Sequence, residues 1–280
     1  MQSKEKVSII IPCYNDHLYI VRAVESAVAQ TWPVKEIILI DDGSNEQTKI
    51  KLRSLKKKID KLISQANEGV SAARNRGIEA ASGEYILVLD SDDYFEPDFC
   101  KMALDAFRQD EEIKLVTCYS NWFDEKSSKL FRPLGGKVKD ALFKNIAMGS
   151  SMFRKRNWEE VGGYDEKMLK GFEDWEFYIR LLKSGGQAYV IQKVLFNYRN
   201  KANSRNKKAN MEKYAIKEYI YNKHADLYKE HFSFFIHEWL KTDKKREAFK
   251  QQVMNSLDYK VGNKILKPLR LIGLFKKNRD

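Results

Sequence analysis

The chain has 280 residues, enough for one large α/β core with an appendage. Hydrophobic residues make up 43% and aromatics 12%, which excludes global disorder. A formal net charge of +12 suits polyanionic partners (nucleic acid, anionic lipid or phosphorylated substrate) without choosing among them.

The apolar run behind the charged N-terminus stops at Pro12, too short for a signal-peptide core. No stretch approaches the roughly 18 uncharged apolar residues of a membrane-spanning helix. Cys13, Cys100 and Cys118 are odd in number, far apart and without Cys-x-x-Cys spacing, which argues against a disulfide framework or zinc site and for a reducing compartment. The expectation is a cytoplasmic protein, peripheral at the inner face of the cell membrane if its basic tail binds there.

Val7 to Ile11 is a β-branched run of the kind buried on both faces, ended by Pro12. Ile20, Val21, Val24, Ala27 and Val28 recur at helical spacing. Ile37 to Ile40 is a second buried strand, stopped by Asp41-Asp42-Gly43-Ser44. Lys49 to Lys61 reads as an exposed amphipathic helix, Leu62-Ile63 as a short strand, Val70 to Ala81 as a helix closed by Gly83, and Tyr85 to Leu89 as a fourth strand. Strands alternating with helices predict βαβ units and a mainly parallel sheet. Further on, Pro97 to Arg108 and Glu173 to Leu182 read as helices, and Leu115 to Tyr119, Met148 to Phe153 and Ala188 to Ile191 as strands. The polar, basic stretch from Asn197 to Asn210 suggests a boundary. The domains expected are 1–208, with nucleotide binding in 1–95 and the acceptor side in 96–208, and a helical extension over 209–280.

Two acidic clusters directly follow strands: Asp41-Asp42 and Asp90-Ser91-Asp92-Asp93. Ligands of open α/β sheets bind beyond the carboxyl ends of the strands, so both clusters should project to one edge. Asp90 and Asp92 need a counter-charge there, and hard oxygen ligands suit Mg²⁺ or Mn²⁺. A solvated acidic turn is the plainer alternative. A carboxylate of Asp41 or Asp42 can accept a base imide N–H or a ribose hydroxyl, or simply serve a turn. Tyr14, after Pro12 and Cys13, can stack a base or pack. Arg74 and Arg76 cannot share a helix face, and Arg74 is favoured as the one directed at a phosphate. Glu173 and Asp174, ahead of Trp175, stand at a helix start. Asp174 is either a cap or a general base for an acceptor hydroxyl.

VSIIIPCYND, IILIDDGSNE, NEGVSAARNRGIEAASGEYILVLDSDD and VGGYDEKMLKGFEDWEFYIRL, in this order over about residues 5–200, resemble family 2 of the glycosyltransferases with the GT-A fold, of the bacterial surface-polysaccharide type. The resemblance implies an inverting, metal-dependent transferase that moves a sugar, often from a UDP-sugar, to a saccharide or lipid-linked acceptor. It implies Asp90 and Asp92 at the metal and Asp174 as base. Pro12, Tyr14, Asp41, Asp42, Arg74, Ser91, Glu173 and Trp175 would stand around the nucleotide-sugar. No family motif occurs in the C-terminal part. There, Lys264 to Lys277 mixes apolar and basic residues in a pattern suited to an anionic membrane surface or to docking on the body.

A basic nucleic-acid-binding module is the rival from another class, but paired acidic clusters at one edge would repel phosphates, and no nucleic-acid partner is expected. A nucleotidyltransferase would want an early glycine-rich phosphate loop, which PCYND does not provide. A catalytically inactive sugar-nucleotide-binding relative is disfavoured by the intact Asp90, Asp92 and Asp174.

Overall fold

The computed structural model of the protein describes residues 5–201 and 205–271. In chain order the first half comprises β1 (Val7–Cys13), α1 (Ile20–Val28), β2 (Lys35–Asp42), α2 (Glu46–Ser54), β3 (Lys61–Gln65), α3 (Val70–Glu79) and β4 (Tyr85–Val88). Then come β5 (Tyr94–Phe95), α4 (Phe99–Gln109), β6 (Ile113–Phe123), β7 (Ser128–Phe131), α5 (Val138–Phe143), β8 (Met152–Arg154), α6 (Lys155–Val161), α7 (Glu173–Lys183) and β9 (Gln187–Arg199). Helices α8 (Arg205–Met211), α9 (Lys213–Lys223) and α10 (Ala225–Glu230) complete this unit.

All the strands join one sheet in the order β3-β2-β1-β4-β8-β6-β9-β5, with β7 paired to β6. The β3-β2-β1-β4 half is parallel. Beyond it β8 runs antiparallel to β4 and β6, β6 and β9 are parallel, and β5 and β7 are antiparallel edges. The sheet is therefore mixed rather than mainly parallel. The short β8, β5 and β7 carry too few residues for a periodic signal, so the sequence did not disclose the reversal.

The continuous apolar strands arise because both sheet faces are covered. Ile9, Leu39 and Leu87 join one core with Ala23 of α1 and Phe99 of α4. Their neighbours Ile10, Ile40 and Val88 join the other with Ala73 of α3 and Phe177 of α7. Each fully buried side chain of this size stabilises by about 1.5–3 kcal/mol relative to exposure. Gly77 lets α3 approach closely: a Cβ there would lie 2.6 Å from both Ile10 Cγ2 and Ile40 Cδ1.

Several boundaries differ from the sequence pattern. β1 continues through Pro12 to Cys13, because beyond Ile10 it pairs with β2 alone and a missing N–H is tolerated on the open side. The lysine-rich helix starts earlier, at the Asn45 cap whose side chain accepts from Thr48 N at 3.0 Å, and ends at Ser54. Residues 148–151 are a loop, not strand. β9 runs to Arg199, across the expected boundary, and the compact unit extends to Glu230 rather than 208. Ala209, Ile216, Ile220 and Leu227 are buried in the second core, which ties α8 to α10 to the sheet.

The second unit, His231–Asp280, contains α11 (Phe232–Asn255) and α12 (Leu257–Leu271), which contact each other. α11 has no buried residue. The basic tail read from Lys264 is helical to Leu271, with Pro268 inside the helix, and residues 272–280 lie outside the described ones. No helix among the described residues is long and apolar enough to cross a membrane.

Candidate active site

Parallel pairing brings the ends of β1, β2 and β4 to one edge. Cys13 is in register with Asp41, and Leu89 N donates to Ile10 O just before Asp90. Both acidic clusters therefore stand at the carboxyl edge, together with Pro12 and Tyr14. Pro12 is buried in the strand, while Tyr14 is 53% exposed and its ring is available to a flat ligand. Asn15 follows in the left-handed region (φ 54°), where Asn is tolerated, and ties β1 to the β2 turn. Its N–H donates to Ser44 Oγ at 3.1 Å, and its Oδ1 accepts from Asn45 N at 2.7 Å.

The adjacent Asp41 and Asp42 separate into two roles, as strand alternation requires. Asp42 is saturated by the loop before α3: Oδ1 accepts from Gln65 Nε2 and Glu68 N, both at 2.9 Å, and Oδ2 from Gly69 N at 3.0 Å. It holds that loop in place. Asp41 accepts from Ser44 N at 2.9 Å and lines a cavity of about 250 Å³ with Lys49, Arg53, Leu62, Ser64 and Gln65.

Beyond β4, Ser91 Oγ donates to Asp16 Oδ2 at 2.7 Å, so Ser91 organises the edge through a carboxylate not anticipated from the motif. Asp93 is buried and accepts from Arg199 N at 2.7 Å, while Arg199 Nε donates to Asp92 O at 3.1 Å. Lys201 Nζ lies 2.6 Å from Asp92 Oδ2 and 3.2 Å from Asp16 Oδ1. Burial pushes the Asp92 carboxyl up; Lys201 pulls it down, Asp16 and Asp90 push it up again, and it stays above the ordinary range. Among the described residues no three Asp, Glu, His or Cys side chains form a ready metal cage. The Asp90 and Asp92 oxygens nevertheless have the hard-donor chemistry of Mg²⁺ or Mn²⁺. Both carboxylates are partly exposed at the edge, 32% for Asp90 and 22% for Asp92, so the pair fits such a cation.

Arg74 is buried at 2% exposure and spans the edge. One guanidinium nitrogen meets Asp90 Oδ1 at 2.8 Å and the other Glu173 Oε1 at 2.9 Å. Arg76, two residues on, is exposed. Glu173 also takes Arg205, at 3.0 Å on Oε1 and 3.1 Å on Oε2. Burial would raise the Glu173 carboxyl, but Arg205 and Arg74 hold it below the usual range. The adjacent Asp174 behaves oppositely. Burial and the Glu173 charge raise it to about 6, against the pull of Arg74 and of Asn145, whose Nδ2 donates to Oδ2 at 2.8 Å. Asp174 is not the α7 cap, because Phe172 holds that position at φ 60°. Gly149 lies alongside: a Cβ there would be 3.4 Å from Asp174 Oδ2 and 3.9 Å from an Arg74 nitrogen. Trp175 turns the other way round the helix into the core, 3% exposed, with Nε1 donating to Ala141 O at 2.5 Å. It does not line the site.

Asp16, Asn145, Lys201 and Arg205 were missed in the sequence. Asp16 sits in the PCYND run, and the two basic residues lie in the stretch taken for a boundary. A larger cavity, about 470 Å³, involves Gly163, Asp165, Arg180, Tyr219 and Lys223 and contains none of the acidic-edge residues. It is bordered by an ion network in which Glu176 pairs with Arg180, Lys223 and His224.

Residues 8–162 match the family described as glycosyl transferase family 2, and residues 139–204 the N-terminal domain of galactosyltransferase. The chain is 33% identical over 199 residues to a chondroitin synthase of Escherichia coli, covering 68% of this chain and 28% of that protein. It is 30% identical over 207 residues to a hyaluronan synthase of Pasteurella multocida, covering 68% and 20%. It thus spans under a third of those synthases. It is 29% identical over 206 residues to TuaG of Bacillus subtilis, named for teichuronic acid biosynthesis, covering 72% and 81%. S. aureus TarS in complex with UDP-GlcNAc superimposes with a TM-score of 0.61 at 19% identity, covering 71% of this chain and 60% of that one, a likeness of fold.

Proposed function

The chain belongs to family 2 of the glycosyltransferases and has the GT-A fold, and from that premise we propose that it transfers a sugar, with inversion, from a UDP-sugar to a hydroxyl of a saccharide or lipid-linked acceptor in surface glycan biosynthesis. The observation that carries this reading is the pair Glu173–Asp174. One carboxylate is held ionised by Arg74 and Arg205, while its neighbour is raised to about 6, in the range of a general base working near neutrality.

In this reading Asp41 recognises the base or ribose and Tyr14 stacks on the base, with Pro12 shaping the strand end beneath. Arg74 fixes Asp90 and Glu173 relative to each other. Asp90 and Asp92 would hold a divalent cation, Mn²⁺ or Mg²⁺, which supplies positive charge to the diphosphate leaving group. Asp174 removes the acceptor proton, and the acceptor oxygen attacks the anomeric carbon from the face opposite the diphosphate. A single displacement inverts that centre. Asn145 orients the base so that its other oxygen is left for the acceptor. Residues 1–95 serve the donor, 96–208 with α9 and α10 the acceptor side, and the helical extension an anionic membrane surface at the inner face of the cell membrane.

The donor is tested by thermal shift with UDP-, GDP- and dTDP-sugars and Mn²⁺. Selective stabilisation by UDP-sugars is expected, and stabilisation by RNA instead would remove the reading. Asp174→Asn should abolish transfer while UDP affinity stays near wild type. Substantial turnover in that variant would take the base role from Asp174.

A further inference from the structure

Lys201 is a cation that none of the recognised motifs contains, seated on the acidic edge. The strand that delivers it is fixed just upstream, where Arg199 donates from its main chain to Asp93 and from its side chain to Asp92 O. Two residues on, the Lys201 ammonium contacts Asp92 Oδ2 and Asp16 Oδ1, with the Tyr19 ring centroid 5.0 Å away. Asp16 is kept in place by Ser91 Oγ. The ammonium therefore bridges two carboxylates from different strand ends. Arg74 is already shared between Asp90 and Glu173, and the Arg199 side chain is engaged by the Asp92 main-chain carbonyl rather than its carboxylate.

We infer that Lys201 is the resident counter-ion of Asp92 and competes there with a divalent cation, so that metal enters the site efficiently only together with a nucleotide diphosphate. This rests on the proposed metal role of Asp90 and Asp92. An oxygen that ligates Mn²⁺ or Mg²⁺ does so at about 2.0–2.2 Å, and an ammonium 2.6 Å from that same oxygen repels the incoming charge. A diphosphate relieves the conflict in two ways. Its oxygens add negative charge beside the metal, and they offer the ammonium a new partner. Lysine suits such an exchange, being a compact charge on a flexible stem, whereas a forked guanidinium would be held by its geometry. At 30% exposure the Lys201 side chain is neither locked in the core nor free in solvent.

The experiment is Mn²⁺ binding to the full chain, followed by electron paramagnetic resonance, with and without UDP. Without UDP, Lys201→Met should bind Mn²⁺ about tenfold more tightly than wild type, the scale of one partly screened charge pair. Lys201→Arg should stay near wild type. With UDP present the Mn²⁺ advantage of Lys201→Met should shrink, and its UDP affinity should fall several-fold. A Mn²⁺ affinity of Lys201→Met within twofold of wild type, in a variant whose circular dichroism is unchanged, overturns the inference. So does UDP binding that is indifferent to chelator yet lost in Lys201→Met, since the lysine would then replace the metal rather than compete with it. Asp92→Asn reports separately on the underlying reading: it should abolish Mn²⁺ binding with or without the lysine. Undiminished binding there would remove the metal site itself.

Discussion

Asn145 and Asp174 meet through one hydrogen bond, Nδ2 to Oδ2 at 2.8 Å, on the loop-to-helix approach where α7 begins. The bond favours the ionised carboxylate and so opposes the burial and the Glu173 charge that raise it to about 6. A base must be deprotonated to act, so activity should fall as pH drops through about 6. Asn145→Leu removes the opposing bond and should move that acidic limb upward by about one pH unit, the worth of a hydrogen bond to a charged group. A kcat/KM profile from pH 5 to 9 checks it. A limb that stays at the wild-type position means Asn145 does not set the base.

The same raised carboxyl has a stability consequence of opposite sign to its use. A carboxyl whose folded pKa lies above its unfolded value opposes folding wherever it is ionised, and that penalty disappears below the unfolded pKa. Asp174→Asn should therefore stabilise the protein by about 1–2 kcal/mol at pH 7.5 while transfer is lost. The gain should shrink as pH falls through about 6 toward 4, where the folded carboxyl is protonated and only the unfolded one is still partly ionised. Urea denaturation at the two pH values gives the comparison, and a variant less stable at pH 7.5 contradicts the buried-charge account.

The sequence carried the strand-and-acid pattern well because long buried strands write their own signal: Val7 to Ile11 and Ile37 to Ile40 are covered on both faces, and Asp41 and Asp90 follow at the carboxyl edge of the parallel half. It carried the second half poorly. β8 has three residues and β5 two, so neither shows a period. Residues 187–199 alternate unevenly because β9 pairs with β6 through register shifts. Lys201 and Arg205 could not be singled out among the many basic residues around them, since only the fold brings them onto Asp92 and Glu173. Asp42 and Trp175 were credited with ligand contacts for their place in a motif. Their side chains are committed to Gly69 and to Ala141.

Arg74 makes the strongest claim on stability. It is buried between Asp90 and Glu173, and removing one partner of a buried ion pair costs about 3–5 kcal/mol. Arg74→Met should fall near the lower end, because Arg205 still faces Glu173. Arg74→Lys should recover only part, having charge without the fork. Glu173, held below its ordinary range, contributes stability above its unfolded pKa and loses it as pH falls through the folded one. The cost of Arg74→Met should therefore be largest near pH 7 and shrink in acid. Equilibrium urea unfolding measures both, and a cost that does not change with pH would disconnect Arg74 from Glu173.

Asp41 and Asp42 give the sharpest contrast available from adjacent residues. Asp42 receives three hydrogen bonds, two of them from main-chain N–H groups at the entry to α3, and those donors would be orphaned by truncation. Each buried unsatisfied group costs about 1–3 kcal/mol, so Asp42→Ala should lose about 2–4 kcal/mol, with partial access of water limiting the sum. Gly69 adds to this dependence: it holds φ 91° and its Cβ position lies 3.0 Å from Leu169 Cδ2, so the loop has little freedom to find another arrangement. Asp41→Asn keeps an acceptor for Ser44 N and should unfold within about 1 kcal/mol of wild type. It replaces a carboxylate on the cavity beside β3 with an amide, and UDP affinity should fall by about tenfold, one charge-assisted hydrogen bond. Denaturation and UDP calorimetry on the two variants separate the roles. Equal losses of stability, or unchanged UDP binding in Asp41→Asn, would place the nucleoside elsewhere on the edge.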